Sequence, residues 1–356
     1  MGGGSSGGRG GATGTERHHL FDGLRGIAAL GVALFHLGPG AGLAIMPAGY
    51  LAVDFFFLLS GFVITRAYGA RLNAGLGLRP FFALRLARLY PVFAIGILFG
   101  VPMLFVMAQK ASPAVGAGGT ALALAANLAL LPAPGGFATL FPGNLVCWSL
   151  MLEIAINLAF AAGGHRLPSG ALLLFAGLAA VGLAMSATAF GTVNGGAYRS
   201  DAVLGVWRVC FAFPLGVVIG RLRTPVARPG QSAFAVLAAL AVALALPLPV
   251  GEALIIEMAL VLMVFPLLLW WAAGVELPEA GRGVFGWLGK LSYPLYAVHF
   301  PLLLVLFALS ARGLPPWLVL GLGLGAALLL ANFVAQRLEP AGRRRLQALL
   351  LPQVAP

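Results

Sequence analysis

The residues best suited to chemistry lie in one apolar run, FDGLRGIAALGVALFH, at positions 21–36. Arg25 lies near its start and His36 lies at its end. Eleven residues of α-helix return to within about 20° of the starting face over about 16 Å, so both side chains project from one side. An ionisable side chain inside a membrane span usually faces a cavity or a partner. His36 is therefore a candidate general base; alternatively, it hydrogen-bonds a neighbouring helix and Arg25 only extends to the interface.

Two further sets of residues have a spacing that suits a binding cavity. Arg85 and Arg88 lie three apart, one helical turn, in the sequence RLAR. Two guanidinium groups so placed can chelate phosphate oxygens, or they can serve as ordinary anchors at the membrane surface. Ser292, Tyr296 and His299 follow at i, i+4 and i+7 and share one helical face. That face either lines the same cavity or supplies hydrogen bonds between helices.

The composition indicates that these residues belong to helices that span a membrane. Of the 356 residues, 60% are hydrophobic and 9% are charged, and the mean hydropathy is +0.98. Soluble domains carry about a quarter charged residues. We predict an all-α integral membrane protein whose helices, about ten in number, enclose a polar cavity. The predicted spans are apolar windows of roughly 20 residues, at 20–38, 48–66, 89–108, 145–164, 168–189, 202–220, 231–249, 252–273, 288–309 and 315–335.

The basic residues predict the orientation of these spans. The shorter apolar run at 120–132 decides the topology, because an eleventh span would place the arginines at 343–345 outside, against the positive-inside tendency. We predict ten spans with both termini in the cytoplasm, in a bacterial inner (plasma) membrane. The net charge of +12 does not indicate nucleic acid binding, because the basic residues lie in short loops and the tail.

Three regions follow from this pattern. Residues 1–19 are predicted to be a disordered, glycine-rich cytoplasmic tail, residues 20–340 a transmembrane domain, and residues 341–356 a basic cytoplasmic tail. His18, His19 and His165 fall in loops or the tail and are predicted to be solvated. Glu257 is isolated in an apolar run and has no obvious partner in the sequence.

Five segments in order resemble the membrane-bound acyltransferase family 3. They are FDGLRGIAALGVALFH, GYLAVDFFFLLSGFVIT, RLAR, WSLMLE and GKLSYPLYAVHFPL, and the resemblance covers about residues 20–340. It implies a membrane O-acyltransferase that moves an acyl group, often acetyl, from cytoplasmic acetyl-CoA to a hydroxyl of an envelope glycan or a lipid-linked sugar. It also favours phosphate binding over simple anchoring for the arginines of RLAR.

The residues offer a candidate for each part of this chemistry. Acyl transfer from a thioester to an alcohol needs a base for the hydroxyl and a grip on the anionic carrier. His36 is the predicted base, and Arg25 with Arg85 and Arg88 is predicted to hold acyl-CoA. Asp54 either orients His36, as the third member of a triad does, or forms a structural pair with Arg208.

Glu153 either meets the acceptor or pairs with Arg208. The chain contains no HExxH motif, no cluster of His and Cys ligands and no P-loop, so no metal or nucleotide triphosphate is predicted. The alternative function is a multispan transporter or flippase whose buried ionisable residues relay protons.

Overall fold

The computed structural model describes residues 18–111, 113–223, 230 and 232–351. The predictions for residues 1–17, for a loop at 224–229 and for the last residues of the tail lie outside the described residues. Fifteen α-helices lie within the described residues: α1 (His19–Gly40), α2 (Ala52–Asn73), α3 (Leu78–Phe99), α4 (Val101–Lys110), α5 (Ala117–Leu128), α6 (Cys147–Ala162), α7 (Ser169–Phe190), α8 (Ala202–Leu222), α9 (Ser232–Ala245), α10 (Ala253–Ala259), α11 (Phe265–Ala272), α12 (Glu279–Val298), α13 (Leu303–Ser310), α14 (Pro316–Phe333) and α15 (Glu339–Leu350).

The lengths of these helices confirm the all-α membrane fold. Among the described residues, seven helical segments are long and apolar enough to cross a membrane, or eight if α12 and α13, bent by 54°, form one span. α6 and α9 coincide with predicted spans but have 16 and 14 residues, which is less than the 20 or so that a bilayer requires. The count of ten therefore stays a prediction.

The relative direction of α1 and α12 is the one that the ten-span prediction requires. α1 and α12 run parallel, because Gly26 packs on Leu288 and His36 lies against His299. Parallel spans are separated by an odd number of crossings, and the predicted spans between these two are α2, α3, α6, α7, α8, α9 and the α10–α11 segment. An additional crossing by α5 would make α1 and α12 antiparallel. α5 has 12 residues, about 18 Å of helix, and is shorter than both α6 and α9.

The third predicted span, 89–108, begins in the wrong place. α3 begins at Leu78 and ends at Phe99, and α4 continues from Val101. The interruption lies at Gly100, where the backbone approaches Gly143 so closely that a side chain would clash. Because α3 begins eleven residues early, Arg85 and Arg88 lie within the helix rather than before it.

Close backbone packing of α2 against α8 forms the centre of the bundle. A Cβ atom on Gly216 would clash with the Leu58 carbonyl oxygen, and one on Gly61 would clash with that of Phe213. Small residues at such contacts let membrane helices approach and gain van der Waals contact, since lipid removes the hydrophobic drive for helix association. The two helices therefore hold Asp54, Ser60 and Arg208 at defined positions.

Candidate active site

A cavity of about 870 Å³ lies at the end of the bundle where α1 and α12 begin, here called the cavity end. Its volume lies in the range of small-molecule sites. Six cationic side chains and three carboxylates line it: Arg25, Arg85, Arg88, Lys290, Arg343 and Arg344, with Asp22, Glu153 and Glu339. A formal excess of three positive charges suits an anionic ligand.

Arg25, Arg85 and Arg88 meet in this cavity, as the sequence predicts. Arg25 Nη2 donates to Asp22 Oδ1 at 2.5 Å, one turn earlier on α1. Arg85 is buried and Arg88 is exposed, so the two arginines of RLAR differ in access to solvent. Both residues line the cavity, and guanidinium groups are good donors to phosphate oxygens.

Glu153 pairs with Arg85 and not with Arg208, which corrects one of its two predicted roles. Arg85 Nη2 donates to Glu153 Oε1 at 3.2 Å, and Ser60 Oγ donates to the same oxygen at 2.9 Å. Glu153 lies in the second turn of α6, which packs against both α2 and α3. Packing between these helices brings Glu153 into the cavity beside Arg85.

The predicted orientation of His36 by Asp54 is wrong, and the alternative pair with Arg208 is observed. Arg208 Nε donates to Asp54 Oδ1 at 3.0 Å and Nη2 donates to Oδ2 at 2.7 Å, with 1% of each side chain exposed. Arg208 also donates to the carbonyl oxygens of Gly195 and Tyr50. The parallel packing of α2 and α8 turns Asp54 toward Arg208, so a triad through Asp54 does not form.

His36 instead contacts a second histidine. His36 Nδ1 lies 3.0 Å from the Val32 carbonyl oxygen and 3.1 Å from His299 Nε2, while His299 Nδ1 lies 3.0 Å from the Leu295 carbonyl oxygen. A carbonyl can only accept, so we assign the proton of each neutral ring to Nδ1. His299 Nε2 then accepts from His36 Nδ1–H, and His36 Nε2 keeps its lone pair. His299 therefore takes the orienting position that the sequence analysis gave to Asp54.

Of the predicted face on α12, two residues line the cavity and one does not. Ser292 and Tyr296 belong to the cavity wall, whereas His36 and His299 lie outside it. The Tyr296 hydroxyl lies 2.6 Å from Ser149 Oγ, and its ring lies 5.7 Å from that of Phe56 and 6.0 Å from that of His299. α12 ends at Val298, so His299 lies in the bend before α13. Tyr296 thus separates the cavity from the two histidines in this conformation.

Several buried polar residues were missed or misjudged by the sequence analysis. Glu257 accepts hydrogen bonds from the Tyr50 and Thr192 hydroxyls and from the Val193 amide. Its isolation in an apolar run was the signal that it must have a partner. Asn144 Nδ2 donates to the carbonyl oxygens of Gly96 and Ala297, joining α3 to α12 beside the bend.

Two of the histidines predicted to be solvated have hydrogen-bond partners, and one of them is buried. His165 is buried and its Nδ1 lies 3.2 Å from the Phe160 carbonyl oxygen. His18 Nδ1 lies 3.0 Å from Glu276 Oε2. Burial acts to raise the pKa of the Glu276 carboxyl, but hydrogen bonds from His18 and two backbone amides hold that pKa below its usual value.

The helices and the cavity define a multi-pass membrane protein with a cation-lined cavity and a nearby pair of histidines. A family model described as "Acyltransferase domain", acyltransferase family 3, matches residues 18–335. The chain belongs to this family and is an acyltransferase. Membership separates it from the transporters and flippases considered as the alternative.

Two relatives agree with this assignment. "Protein 2 in picA locus" of Rhizobium radiobacter is 35% identical over 189 residues, which are 49% of this chain and 97% of the relative. "Putative peptidoglycan O-acetyltransferase YrhL" of Bacillus subtilis is 39% identical over 83 residues, which are 21% of this chain and 12% of the relative. No solved structure gives a significant match.

Proposed function

We propose that the protein transfers an acyl group, most readily acetyl, from cytoplasmic acyl-CoA to a hydroxyl of an envelope glycan or lipid-linked sugar. The observation that carries this proposal is the arrangement along α1. Arg25 lies in a cationic cavity, and His36 lies on the far side of Tyr296 with a basic nitrogen available. A cation-lined site for a carrier and a base for a hydroxyl therefore occupy neighbouring positions.

The proposed donor fits the cavity in charge. Coenzyme A carries a diphosphate and a phosphomonoester, and phosphates bind arginine through bidentate, charge-assisted hydrogen bonds. Arg25, Arg85 and Arg88 hold the diphosphate at the cavity end. The pantetheine arm then lies along the cavity wall toward Ser149 and Tyr296.

His36 performs the proton transfer in this proposal. Its Nε2 removes the proton of the acceptor hydroxyl while the hydroxyl oxygen bonds to the acyl carbon. The C–S bond breaks, and His36 returns the proton to the leaving sulfur, so the products are an ester and the free thiol. His299 holds the His36 ring in the tautomer that leaves Nε2 basic. The rings of Tyr296 and Phe56 must move apart for the thioester to reach His36.

The accessibility of His36 supports an acceptor that arrives from elsewhere. His36 is half-buried, although the cavity does not include it. Its exposed part therefore belongs to a different surface from the donor site. The relative named as a putative peptidoglycan O-acetyltransferase supports an envelope sugar as the acceptor class.

A transfer assay with purified protein tests the function. Protein in nanodiscs is given acetyl-CoA labelled in the acetyl group together with an envelope glycan extract, and both free thiol and labelled ester are measured. We expect ester formation by the wild type. Wild-type protein that binds acetyl-CoA but labels no glycan would overturn the acceptor, whereas failure to bind acetyl-CoA would overturn the donor. Mass spectrometry of envelope glycans from a deletion strain identifies the ester that is lost.

Orientation is tested separately, since it rests on loop charges and helix directions. We propose an inner-membrane location with both termini in the cytoplasm. Cysteines introduced at Pro39 or Gly313 should react with an impermeant label from outside, and those at Asn73 or Ala341 should not. Labelling at Ala341 without labelling at Asn73 would show an odd number of spans.

A further inference from the structure

One face of the last long helix lines the cavity. Its cavity residues are spaced alternately by three and by one, which is the pattern of a single α-helical face. They are Asn332, Ala335, Gln336, Glu339, Pro340, Arg343, Arg344 and Gln347. Most of these side chains are polar, so the face is built for contact with a polar ligand or water.

This helix is longer than the hydrocarbon core of a bilayer is thick. The continuous helical segment Pro316–Leu350 has 35 residues, about 52 Å, whereas the hydrocarbon core is about 30 Å thick. A π-helical turn, Val334–Leu338, precedes α15, and such turns are frequent at functional sites. Gly342 of α15 packs on Pro91 of α3, three residues after Arg88. Arg88, Arg343 and Arg344 line the cavity and are exposed, so they lie at its mouth.

The charges at the mouth are less balanced than those deeper in the cavity. Arg25 and Arg85 each have a carboxylate partner, Asp22 and Glu153. The other four cations of the cavity, Arg88, Lys290, Arg343 and Arg344, are all exposed and outnumber its remaining carboxylate, Glu339. The mouth consequently suits a group with more than one negative charge.

We infer that Arg343 and Arg344 bind the phosphomonoester at the adenosine end of coenzyme A and make the protein discriminate against dephospho-CoA. The inference rests on the proposed acyl-CoA donor. The thioester must lie at the Tyr296 end, so the opposite end of the donor lies at the mouth. A phosphomonoester carries about −1.5 to −2 charges at neutral pH, the largest charge on any one phosphorus of the carrier.

Binding of two ligands to matched variants tests the inference. Affinities for acetyl-CoA and for acetyl-dephospho-CoA are measured by titration calorimetry in nanodiscs of neutral lipid. We expect the wild type to prefer acetyl-CoA by about tenfold or more, the effect of one or two charged hydrogen bonds. The double variant Arg343→Ala/Arg344→Ala should lose most of this preference and bind acetyl-dephospho-CoA within about twofold of wild type. Lysine at both positions should restore part of the preference.

Arg345 supplies the matched control. It is exposed on the same helix and adjoins Arg344, but it does not line the cavity. Arg345→Ala removes the same charge and should leave the preference unchanged. Equal loss of the preference in this variant would show that only the general positive field matters, and would overturn the inference.

Other outcomes are equally decisive. Wild-type protein that binds both ligands equally well would overturn the inference and leave the acyl-CoA donor standing. Failure of the wild type to bind either ligand would instead overturn the proposed donor. An effect of the double variant that occurs only in nanodiscs with anionic lipid would assign the two arginines to lipid headgroups. Gel filtration and thermal unfolding establish that each variant is folded.

Discussion

Two arginine–carboxylate pairs join helices of the bundle. They differ in how many N–H groups of the arginine donate hydrogen bonds. Arg208 donates to both oxygens of Asp54 and to two carbonyl oxygens, and all of this lies in the protein interior. Arg85 makes one hydrogen bond to Glu153 at 3.2 Å, and its Nε has no hydrogen-bond partner within the described residues. Arg85 also lines the cavity, whereas Arg208 does not.

We interpret Arg208 and Asp54 as a structural pair and propose that Arg85 and Glu153 belong to a binding site. Arg208 uses four of its five N–H donors and holds α2, α8 and the loop at Gly195 together. Arg85 keeps donor capacity beside a space that can hold an anion. A buried ion pair contributes little net stability, because desolvation offsets attraction, yet loss of one partner is costly. The two pairs should therefore respond differently to mutation, one in folding and the other in ligand binding.

The largest expected effect lies in neither pair but in His36. His36→Gln should lower kcat by about 100-fold to 10,000-fold, because an amide forms hydrogen bonds but is not basic. Binding of acetyl-CoA should stay near normal, since His36 does not line the donor cavity. Donor-saturation kinetics with a calorimetric binding control measure both quantities. His165→Gln changes a buried histidine away from this site and should retain activity; near wild-type transfer by His36→Gln would make His36 structural.

Removal of the structural pair's cation should come next. Arg208→Met should destabilise the fold by about 3 to 5 kcal/mol, because Asp54 then remains buried without a partner. The measurement is chemical or thermal unfolding in detergent, with the double variant Asp54→Leu/Arg208→Met as the control that removes both charges and recovers stability. If Arg208→Met stayed fully stable and lost donor binding, the distinction between the two pairs would be broken.

Removal of the binding cations should act mainly on the donor. Arg85→Ala or Arg88→Ala should raise the KM for acyl-CoA by an amount equivalent to about 1.5 to 3 kcal/mol. The change in kcat should be smaller, because charge contacts to phosphate are made in both the ground state and the transition state. Lysine should restore binding only in part, since an ammonium cannot form the bidentate contact. Arg79→Ala, an exposed position of α3 outside the cavity, serves as the control. Normal CoA affinity in both alanine variants would show that the arginines of RLAR only anchor α3 at the membrane surface.

The smallest effect concerns the orientation of His36. His299→Leu should lower kcat by about fivefold, the value of about 1 kcal/mol for one neutral hydrogen bond. His299→Gln should retain more activity, because its amide oxygen can accept from His36 Nδ1–H. The pH profile of kcat is measured for both variants beside the wild type. A profile and rate unchanged in His299→Leu would show that the contact at 3.1 Å does not set the tautomer.

The sequence by itself determined that the protein lies in a lipid bilayer, that its fold is all-α, and which residues are candidates for the site. An apolar run of 20 residues has few stable states besides a membrane helix, since lipid cannot satisfy exposed backbone groups. Helical periodicity then placed Arg25 and His36 on one face of α1, and Arg85 beside Arg88. Those are properties of a single helix, so they depend on spacing alone.

Only the tertiary structure decided which side chains meet. Asp54 had two candidate partners, and the direction and close approach of α2 and α8 selected Arg208. The parallel packing of α1 and α12 brought His299 to His36 across 263 residues of sequence. Pairing across a bundle depends on how the helices rotate and cross. Residue spacing within one helix does not determine that packing. For the same reason, the cluster of arginines at 343–345 read only as a marker of orientation until α15 packed against α3 and turned two of the three into the cavity.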